Sequence, residues 1–552
     1  METPDSPDRK EAVLAEDAAV RAAEAFDPGE EPTPEPRPGR IARSTAFFSI
    51  ATAASRIAGL VREIVAASYY GVYGPMSAFT IAFQVPNLVR ALFADAALQP
   101  AFVPIFTEQL ERKNYREAFR LASTLLLLVT VVLGAITALF VLLAPVVMPL
   151  FAPGFEGEIL DLTVTLSQVL FPILILLGVS GVVVGILNSY DRFGAFAISP
   201  FFWNVTIIAV VVALAPAFHG QNRIYAYAIG ILAGTVVQLA IPAFDLRNTP
   251  FKFEWSFEWR NPDVRRVLLL MLPVTISLGL INFNMLINSL FGSLVSEQSP
   301  AAIDKAFRVY QLPQGVFSVA IATVLFPTLA RFAARGKMDD LRATMANGMR
   351  QILFVLVPAA AAVLVLSEPM IRLVYQRGEF TPEQTTLVAT ALFWFAFSLP
   401  TNGLYLLQTR TFFSLQRPWM ATGLAAFDLI VSALGALALY KPFGTGGIVA
   451  GTGIGTTAAV LAQAVVLRRQ FDGLELRRLF ATTAKITVAA AALAGVSFGV
   501  WDVLDSALGR GLGGQIVSLG VALGLGGLTY LGLAKLMRVA ELDQIMRLVR
   551  RR

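Results

Sequence analysis

The stretch SRIAGLVRE, residues 55–63, places Arg56 and Arg62 inside a mostly apolar run of roughly thirty residues, longer than a helix needs to cross a bilayer. A second apolar run contains Arg90 and Asp95. An arginine at the bilayer centre costs about 2.5–3.5 kcal/mol on insertion scales, so these side chains are expected to face a wet or protein-lined interior. Several unneutralised arginines in one membrane interior favour a cavity that binds a polyanion such as phosphate.

The composition is that of a polytopic helical membrane protein. The 552 residues are 56% hydrophobic and only 15% charged, with a mean hydropathy of +0.66. A soluble chain of this length would not carry so much apolar surface. The absence of cysteine excludes disulfides, thiolate metal sites and cysteine nucleophiles.

The first forty residues differ from the rest of the chain. They contain eleven acidic residues, five basic residues and seven prolines, with little apolar surface beyond alanine. This composition predicts a disordered acidic tail, without the basic start and apolar core of a signal peptide. Without the tail, 39 basic residues stand against 27 acidic ones, so the membrane part has a net charge of +12.

Apolar runs bounded by charged or turn residues predict an all-α protein with fourteen transmembrane helices. Several runs exceed the length needed to cross a bilayer, which indicates tilt or projection into water. The predicted helices are 43–71, 76–109, 116–151, 158–188, 196–217, 223–244, 263–296, 301–333, 343–375, 382–413, 418–440, 446–468, 479–502 and 513–537.

The basic residues of the connections are distributed unevenly between the two sides of the membrane. With fourteen helices, twenty of them fall on the side of the N-terminus and four on the other side. Because basic loops stay in the cytoplasm, both termini are predicted to be cytoplasmic. The segment 539–552 is predicted to be a basic interfacial helix.

An internal repeat is indicated by prolines. FQVP at 83–86 reappears as YQLP at 310–313, and each is followed fourteen residues later by a proline, Pro100 or Pro327. Coincidental prolines in apolar helices are the alternative interpretation. A duplication would pair helices 1–6 with helices 7–12 as two parallel lobes and leave helices 13 and 14 over.

The repeat divides the chain into four parts. Residues 1–40 are the acidic cytoplasmic tail, and 41–245 form an N-lobe of six helices. Residues 246–470 form a C-lobe of six helices, and 471–552 hold the last two helices and a basic C-terminal tail. Such an arrangement suits a transporter whose two lobes rock against each other.

Three local motifs carry a resemblance to a known family. They are SRIAGLVRE, followed by VPNLVRALFAD at 85–95 and AFVP at 101–104, and YQLPQGV at 310–316. Together they resemble the signature of the MurJ/MviN lipid II flippases, which belong to the multidrug/oligosaccharidyl-lipid/polysaccharide exporter superfamily. The resemblance extends over roughly residues 43–540. It is specific because the spacing of the intramembrane charges also matches.

The resemblance implies a fold, a substrate and a location. Members of the family are similar in having fourteen helices, two lobes and a terminal helix pair that forms a groove for a lipid tail. The implied substrate is lipid II, an undecaprenyl-pyrophosphate-linked disaccharide pentapeptide, moved from the inner to the outer leaflet of the bacterial cell membrane for peptidoglycan synthesis. Membrane lipids and cell-wall synthesis proteins are the implied partners, with no nucleic acid.

The resemblance also implies substrate-binding residues. The family's cavity positions match four arginines and one acid of this chain, namely Arg56, Arg62, Arg90, Arg308 and Asp95. Where many members have an aspartate in the second helix, this chain has Ser77. The alternative for Arg62 is a buried ion pair with Glu63 or Asp95 that joins helices.

Some members of the family have a sodium site between helices 7, 11 and 12. The comparable residues here are Asn288, Asp428, Ser432 and Thr452. Asp428 lies in an otherwise apolar helix and needs a partner or a proton, whereas Asn288 stands where an acid is usual. The resemblance therefore implies Na⁺ as a coupling ion and no other cofactor. Because Asn288 replaces the usual acid, the sodium site of this chain would be rearranged or absent.

Gly447, Gly451 and Gly455 form a GxxxGxxxG stripe, which predicts close helix packing. No strand adjoins it, so a nucleotide-binding motif is disfavoured.

Four other functions compete with the flippase. A glycosyltransferase would need a base at a sizeable extramembrane site, for which the short outward loops leave no room, and a scaffold needs no buried arginines. An exporter of another polyprenyl-linked glycan and a drug antiporter of the same superfamily stay open. The antiporter is disfavoured because cationic drugs require an acidic cavity.

Overall fold

The computed structural model describes residues 38–93, 98–471, 473 and 476–542, which form helices and short connections without any strand. All packing given below belongs to the unit that begins at Ala51. The first eight helices are α1 Pro38–Tyr70, α2 Gly74–Phe93, α3 Leu98–Glu111, α4 Tyr115–Phe151, α5 Gly157–Leu170, α6 Ile173–Ser189, α7 Gly194–Leu214 and α8 Tyr225–Asp245. The next eight are α9 Pro262–Val295, α10 Ser299–Pro313, α11 Val319–Ala334, α12 Met338–Tyr375, α13 Pro382–Ser414, α14 Pro418–Gln470, α15 Leu476–Leu508 and α16 Leu512–Leu536.

The helices are those of a multi-pass membrane protein. Ten helical segments among the described residues are long and apolar enough to cross a membrane. One of them, α14, covers two predicted spans, and α1, the pair α2–α3 and α9 cover three more. The all-α class is confirmed, and the arrangement is consistent with fourteen spans. The lobe boundaries at 245 and 470 stay predictions.

Caps and prolines set where two helices of the second half begin. Asn261 and Thr381 each accept a hydrogen bond from a backbone amide of the first turn, at 2.9 and 3.4 Å, before α9 and α13 respectively. The next residue is a proline in both cases, Pro262 and Pro382. A polar cap followed by proline satisfies or removes amides that have no partner within the helix.

The intramembrane prolines have unequal effects. Pro172 lies in the break between α5 and α6, whereas Pro400 lies inside the continuous helix α13. Pro313 ends α10, and a π-helical turn, Gln314–Ser318, precedes α11. Such turns often occur at functional sites because they redirect the side chains that follow. This one borders both of the cavities described below.

Helix α14 reverses its direction at Gly444, where the backbone angles are φ 56° and ψ −135°. The glycine stripe lies just after this point and allows the two halves to approach closely. A Cβ at Gly447 would lie 2.0 Å from the carbonyl oxygen of Leu439, and one at Gly451 would lie 2.2 Å from the amide nitrogen of Ala436. Real side chains do not fit there, so the prediction of close helix packing is confirmed.

The last two helices are held on α12 by two buried ion pairs. Arg350 donates from Nε to Oε1 of Glu541 at 2.9 Å, beyond the end of α16. Arg372 donates to Asp505 near the end of α15. Removing one partner of a buried pair costs about 3–5 kcal/mol because the other charge stays desolvated. The two pairs therefore fix α15 and α16 to α12 at opposite ends.

Candidate functional site

A cluster of five charged side chains joins α1 to α10. Helix α1 contributes Arg62 and Glu63, and one turn of α10 contributes Asp304, Lys305 and Arg308. We call these five residues the charge cluster. Its cations outnumber its acids by three to two. The excess is retained in an apolar surrounding because the five side chains bond to one another.

Glu63 lies at the centre of the charge cluster. Its Oε2 accepts a hydrogen bond from Nζ of Lys305 at 2.6 Å and lies 3.2 Å from Nε of Arg308. Its Oε1 accepts a hydrogen bond from Nη2 of Arg62 at 2.6 Å. The lysine side chain is fully buried. Glu63 is thus shared among three cations, which leaves each of them only partly neutralised.

The guanidinium of Arg62 lies over an aromatic ring. Its central carbon lies 4.6 Å from the ring centroid of Trp203, on α7. Its Nε and Nη1 atoms are buried and have no hydrogen-bond partner among the described residues. A guanidinium that keeps two donors without a partner has capacity for a further acceptor.

Arg308 is held by its own helix and is partly open. It donates from Nε to Oδ2 of Asp304 at 2.9 Å and from Nη2 to Oδ1 at 3.4 Å, while 35% of its side chain stays exposed. The expectation that these arginines are unneutralised is therefore wrong for Arg62 and Arg308. For Arg62, an ion pair with Glu63 was one of the alternative interpretations of the sequence. What survives is an excess of one positive charge.

Arg56, two turns before Arg62 on α1, differs from the charge cluster. Its side chain is exposed and has no ion pair or hydrogen bond among the described residues. Its Nη1 lies 3.8 Å from the position that a Cβ on Gly315 would take, in the π-helical turn. Arg56 adds a second uncompensated positive charge to the same region.

The charge cluster opens onto two adjoining cavities. A cavity of about 410 Å³ is lined by Arg62, Arg308 and Trp203, and one of about 590 Å³ is lined by Arg56, Arg62 and Arg308. Because both contain Arg62 and Arg308, we treat them together as the cationic cavity. Their volumes are in the range of small-molecule binding sites. Three of the four predicted arginines therefore meet in one place.

Two predicted site residues lie beyond what the structure describes. Asp95 falls in the segment 94–97, outside the described residues. Arg90 belongs to α2, but its side chain is also outside them. Their assignment to the substrate site stays a prediction.

A third cavity, of about 340 Å³, lies beside the cationic cavity. Gln311 and Gln314 line both this cavity and the wider part of the cationic cavity. Most of its described lining residues carry amides or hydroxyls, and none of them is an arginine or a lysine, so we call it the amide cavity. Its polar lining residues are Asn284, Asn288, Gln311, Gln314, Asn402, Tyr405, Thr409, Asp428, Thr452 and Thr456.

The residues predicted for sodium form two bonded pairs. Thr452 donates from Oγ1 to Oδ1 of Asn288 at 2.7 Å, and Ser432 donates from Oγ to Oδ1 of Asp428 at 3.3 Å. Asn288, Asp428 and Thr452 line the amide cavity, whereas Ser432 is fully buried behind it. The structure thus brings three of the four to one surface.

The connections at the end of α1 join the first half of the chain to the second. The amide of Glu379 donates to the carbonyl oxygen of Ser68 at 2.9 Å, and the amide of Val72 donates to Oε1 of Gln384 at 3.1 Å. A Cβ at Gly378, where φ is +58°, would lie 2.3 Å from the Ser68 oxygen. Only glycine allows this approach. These contacts join the two halves across this side of the molecule.

Ser77 takes part in the same junction. Its hydroxyl oxygen accepts a hydrogen bond from the amide of Ala301 at 3.1 Å, in the first turn of α10. The amide would otherwise have no acceptor within the helix. A serine thus caps this helix where many members of the family have an aspartate.

Lys305, Asp304 and Trp203 were missed by the sequence analysis. Lys305 and Asp304 lie inside a predicted span, so a search for every intramembrane charge, rather than for arginines alone, would have found them. The stacking of Trp203 on Arg62 and the gathering of amides from several helices depend on tertiary packing. No local pattern indicated either of them.

The sequence of this chain is similar to those of one family of known proteins. The family model described as lipid II flippase MurJ matches residues 66–509. A probable lipid II flippase MurJ of Rhizobium meliloti (strain 1021) is 35% identical over 411 residues, which cover 72% of this chain and 75% of that protein. The probable lipid II flippase MurJ of Bdellovibrio bacteriovorus is 28% identical over 522 residues, 92% of this chain and 97% of that protein.

Solved structures share the fold. A lipid II flippase MurJ in an inward closed conformation superposes with a TM-score of 0.73 and 22% identity, covering 89% of this chain and 98% of that one. An inward-facing multidrug resistance transporter of the MATE family, in the MOP superfamily, gives a TM-score of 0.64 and 16% identity, covering 76% and 94%. At these identities the likeness concerns the fold alone.

Proposed function

The chain belongs to the lipid II flippase MurJ family, and we propose that it moves lipid II from the inner to the outer leaflet of the bacterial cytoplasmic membrane by alternating access. The observation that carries the proposal is the cationic cavity. Arg62 and Arg308 both line it, and Arg62 keeps two buried donors without a partner. A pyrophosphate with about two negative charges is the ligand that such a cavity favours.

The charge cluster allows a pyrophosphate both to bind and to dissociate. An incoming pyrophosphate competes with Glu63 for the guanidiniums of Arg62 and Arg308, which each hold an anion by a two-donor fork. Lys305 stays bonded to Glu63 and prevents that carboxylate from neutralising both arginines. The polyprenyl tail remains in the bilayer while the polar head crosses inside the protein.

The junction at the end of α1 indicates that the protein is closed toward the outer side of the membrane. We assign both termini to the cytoplasm because most basic connections fall on the side of the N-terminus. The contacts of Ser68 and Val72 with the second half then lie on the outer side. Opening toward the outer leaflet requires that these contacts break while the two halves of the chain rock against each other.

Sodium is the coupling ion we propose, held by Asn288, Asp428, Ser432 and Thr452. All four offer oxygen atoms, the ligands that a hard cation prefers, and they already form two hydrogen-bonded pairs. These oxygen donors therefore fit the ion. Asp428 is the one carboxylate among the four, because Asn288 stands where an acid is usual in the family. A bound cation would compensate the charge of Asp428 and bias the second half toward one facing state.

A drug antiporter and an exporter of another polyprenyl-linked glycan share the fold. The cation excess of the charge cluster disfavours cationic drugs. It does not distinguish lipid II from another polyprenyl pyrophosphate, so the family membership decides for lipid II. We propose transport without chemical change of the substrate.

The test is replacement of a bacterium's own lipid II flippase by this chain. On depletion of the native flippase, lipid II is expected to accumulate in the inner leaflet, and this chain is expected to restore growth and outer-leaflet lipid II. Arg308→Ala should insert to the same level and fail to restore either. Restoration by Arg308→Ala, or failure of the wild-type chain when it is well inserted, would contradict the proposal.

A further inference from the structure

The amide cavity is separated from the cationic cavity by its chemistry and joined to it by shared residues. Arginines line the cationic cavity, whereas Asp428 is the one charged residue among the described lining of the amide cavity. Gln311 and Gln314 belong to both surfaces. A ligand that passes from one cavity into the other therefore meets guanidiniums first and neutral hydrogen-bonding groups next.

Amides inside a membrane protein require partners, because no lipid can satisfy them. Gln314 and Asn402 satisfy each other in part, through a hydrogen bond from Nε2 to Oδ1. The Oδ1 atom of Asn284 is buried and has no donor among the described residues. The cavity thus keeps unused hydrogen-bonding capacity at its wall, and Phe307 and Tyr405 add aromatic rings to the lining.

The guanidinium groups of the cationic cavity and the amides of the amide cavity are a short distance apart. At a rise of 1.5 Å per residue, Gln311 lies about 5 Å and Gln314 about 9 Å along the helix from Arg308. A group bonded directly to a pyrophosphate at Arg308 falls within this distance. In the substrate of the proposed function, that group is a sugar.

We propose that the amide cavity binds the neutral sugar portion of a polyprenyl-pyrophosphate glycolipid, through Asn284, Gln314 and Asn402, while its pyrophosphate occupies the cationic cavity. The proposal rests on the proposed function and deepens it. Sugar hydroxyls and acetamido groups donate and accept hydrogen bonds, as amides do. The sugar, and not the peptide, is bonded directly to the pyrophosphate, so the sugar is the group that reaches this cavity.

The chain contains no cysteine, so single cysteines report on each cavity without background. Ala425→Cys places one in the amide cavity, Ser55→Cys one in the cationic cavity, and Gln168→Cys one that lines neither. The probes are undecaprenyl pyrophosphate, the same lipid bearing the disaccharide without peptide, and the complete lipid II. The measurement is the rate of alkylation of each full-length variant in nanodiscs.

We expect both sugar-bearing lipids to slow alkylation of Ala425→Cys about tenfold more than undecaprenyl pyrophosphate does, because only they reach the amide cavity. All three lipids should protect Ser55→Cys, and none should protect Gln168→Cys. The sugar site would be overturned if Ala425→Cys is protected by undecaprenyl pyrophosphate, if it is protected by complete lipid II but not by the disaccharide lipid, or if no lipid protects it while Ser55→Cys is protected. If Ser55→Cys is also unprotected, the proposed function fails as well.

A second variant tests affinity rather than position. Asn402→Leu keeps the side-chain volume and removes both hydrogen-bonding atoms, whereas Gln168→Leu removes an amide elsewhere that donates to the carbonyl oxygen of Val141. We expect Asn402→Leu to weaken binding of the disaccharide lipid about tenfold and to leave undecaprenyl pyrophosphate unchanged. Equal losses for both lipids, or no loss for either, would assign the residue a purely structural role. Gln168→Leu should change neither affinity.

Discussion

The cationic cavity and the amide cavity adjoin, yet they are built by opposite means. In the first, charges on two helices neutralise one another almost completely and leave a small positive excess around Glu63. In the second, amides and hydroxyls from several helices stay neutral and only partly bonded. Hydrogen bonds to charged groups are roughly twice as strong as neutral ones. The first cavity is therefore suited to supply affinity, and the second to distinguish between head groups.

The largest effect is expected from Arg308→Ala. The change removes a guanidinium from both parts of the cationic cavity and leaves Asp304 and Glu63 less compensated. Binding of undecaprenyl pyrophosphate should fall at least a hundredfold, as measured by titration of the purified protein.

Two variants control this result. Arg308→Lys keeps the charge without the fork and should recover only part of the affinity. Arg192→Ala breaks an ion pair of 2.6 Å with Asp245 that lines neither cavity, and it should leave the affinity unchanged. Similar losses in Arg308→Ala and Arg192→Ala would mean that general stability, not the cavity, sets the affinity.

Lys305→Met should have the next largest effect. It removes the positive excess of the charge cluster, so Arg62 and Arg308 become fully matched by Glu63 and Asp304. Pyrophosphate binding should weaken about tenfold or more, as measured by the same titration.

The double variant Lys305→Met with Glu63→Gln restores the excess of one cation and should recover most of the affinity. A double variant that binds no better than Lys305→Met alone would show that the buried lysine acts by packing rather than by charge. In that case the charge difference between the cavities would not explain their roles.

Asp428→Asn is expected to act on coupling and not on affinity. It keeps the shape of the side chain and removes the carboxylate charge that would compensate Na⁺. Transport should lose its dependence on Na⁺, measured as outer-leaflet lipid II at several sodium concentrations, while pyrophosphate binding stays within about twofold of the wild type. An unchanged response to sodium would make Asp428 a structural residue of the amide cavity.

The smallest effect is expected from removal of the acidic tail. A chain that begins at Arg37 keeps every residue of both cavities, and its lost acids would be repelled by the anionic inner leaflet. It should restore growth of flippase-depleted cells as well as the full chain does. Normal insertion combined with failed complementation would assign the tail a role outside the two cavities.

The sequence predicted the cationic cavity better than the amide cavity, for a physical reason. An arginine in an apolar run is costly wherever it lies, so Arg56 and Arg62 were recognisable singly, and the family resemblance added Arg308. Amides cost less, and Asn284, Gln314 and Asn402 belong to different elements, so their meeting follows only from packing.

The local conformation was predicted unevenly for a similar reason. The glycine stripe indicated close packing because small residues have few other uses in a membrane helix. The break between the predicted helices 418–440 and 446–468 is confirmed by the reversal at Gly444, whereas the π-helical turn at Gln314–Ser318 depends on contacts with other helices. The pairing of Arg62 with Glu63 was open in sequence, since adjacent residues need not bond to each other.

The most direct test of the central claim is transport by the purified protein in sealed vesicles that hold lipid II. The measurement is the access of an impermeant lipid II-binding probe to lipid II that starts in the opposite leaflet. The cationic cavity predicts rapid exposure with the wild-type chain and with Arg192→Ala, and exposure no faster than in protein-free vesicles with Arg308→Ala. Equal exposure by Arg308→Ala and the wild type, or no exposure by the wild type, would contradict the account.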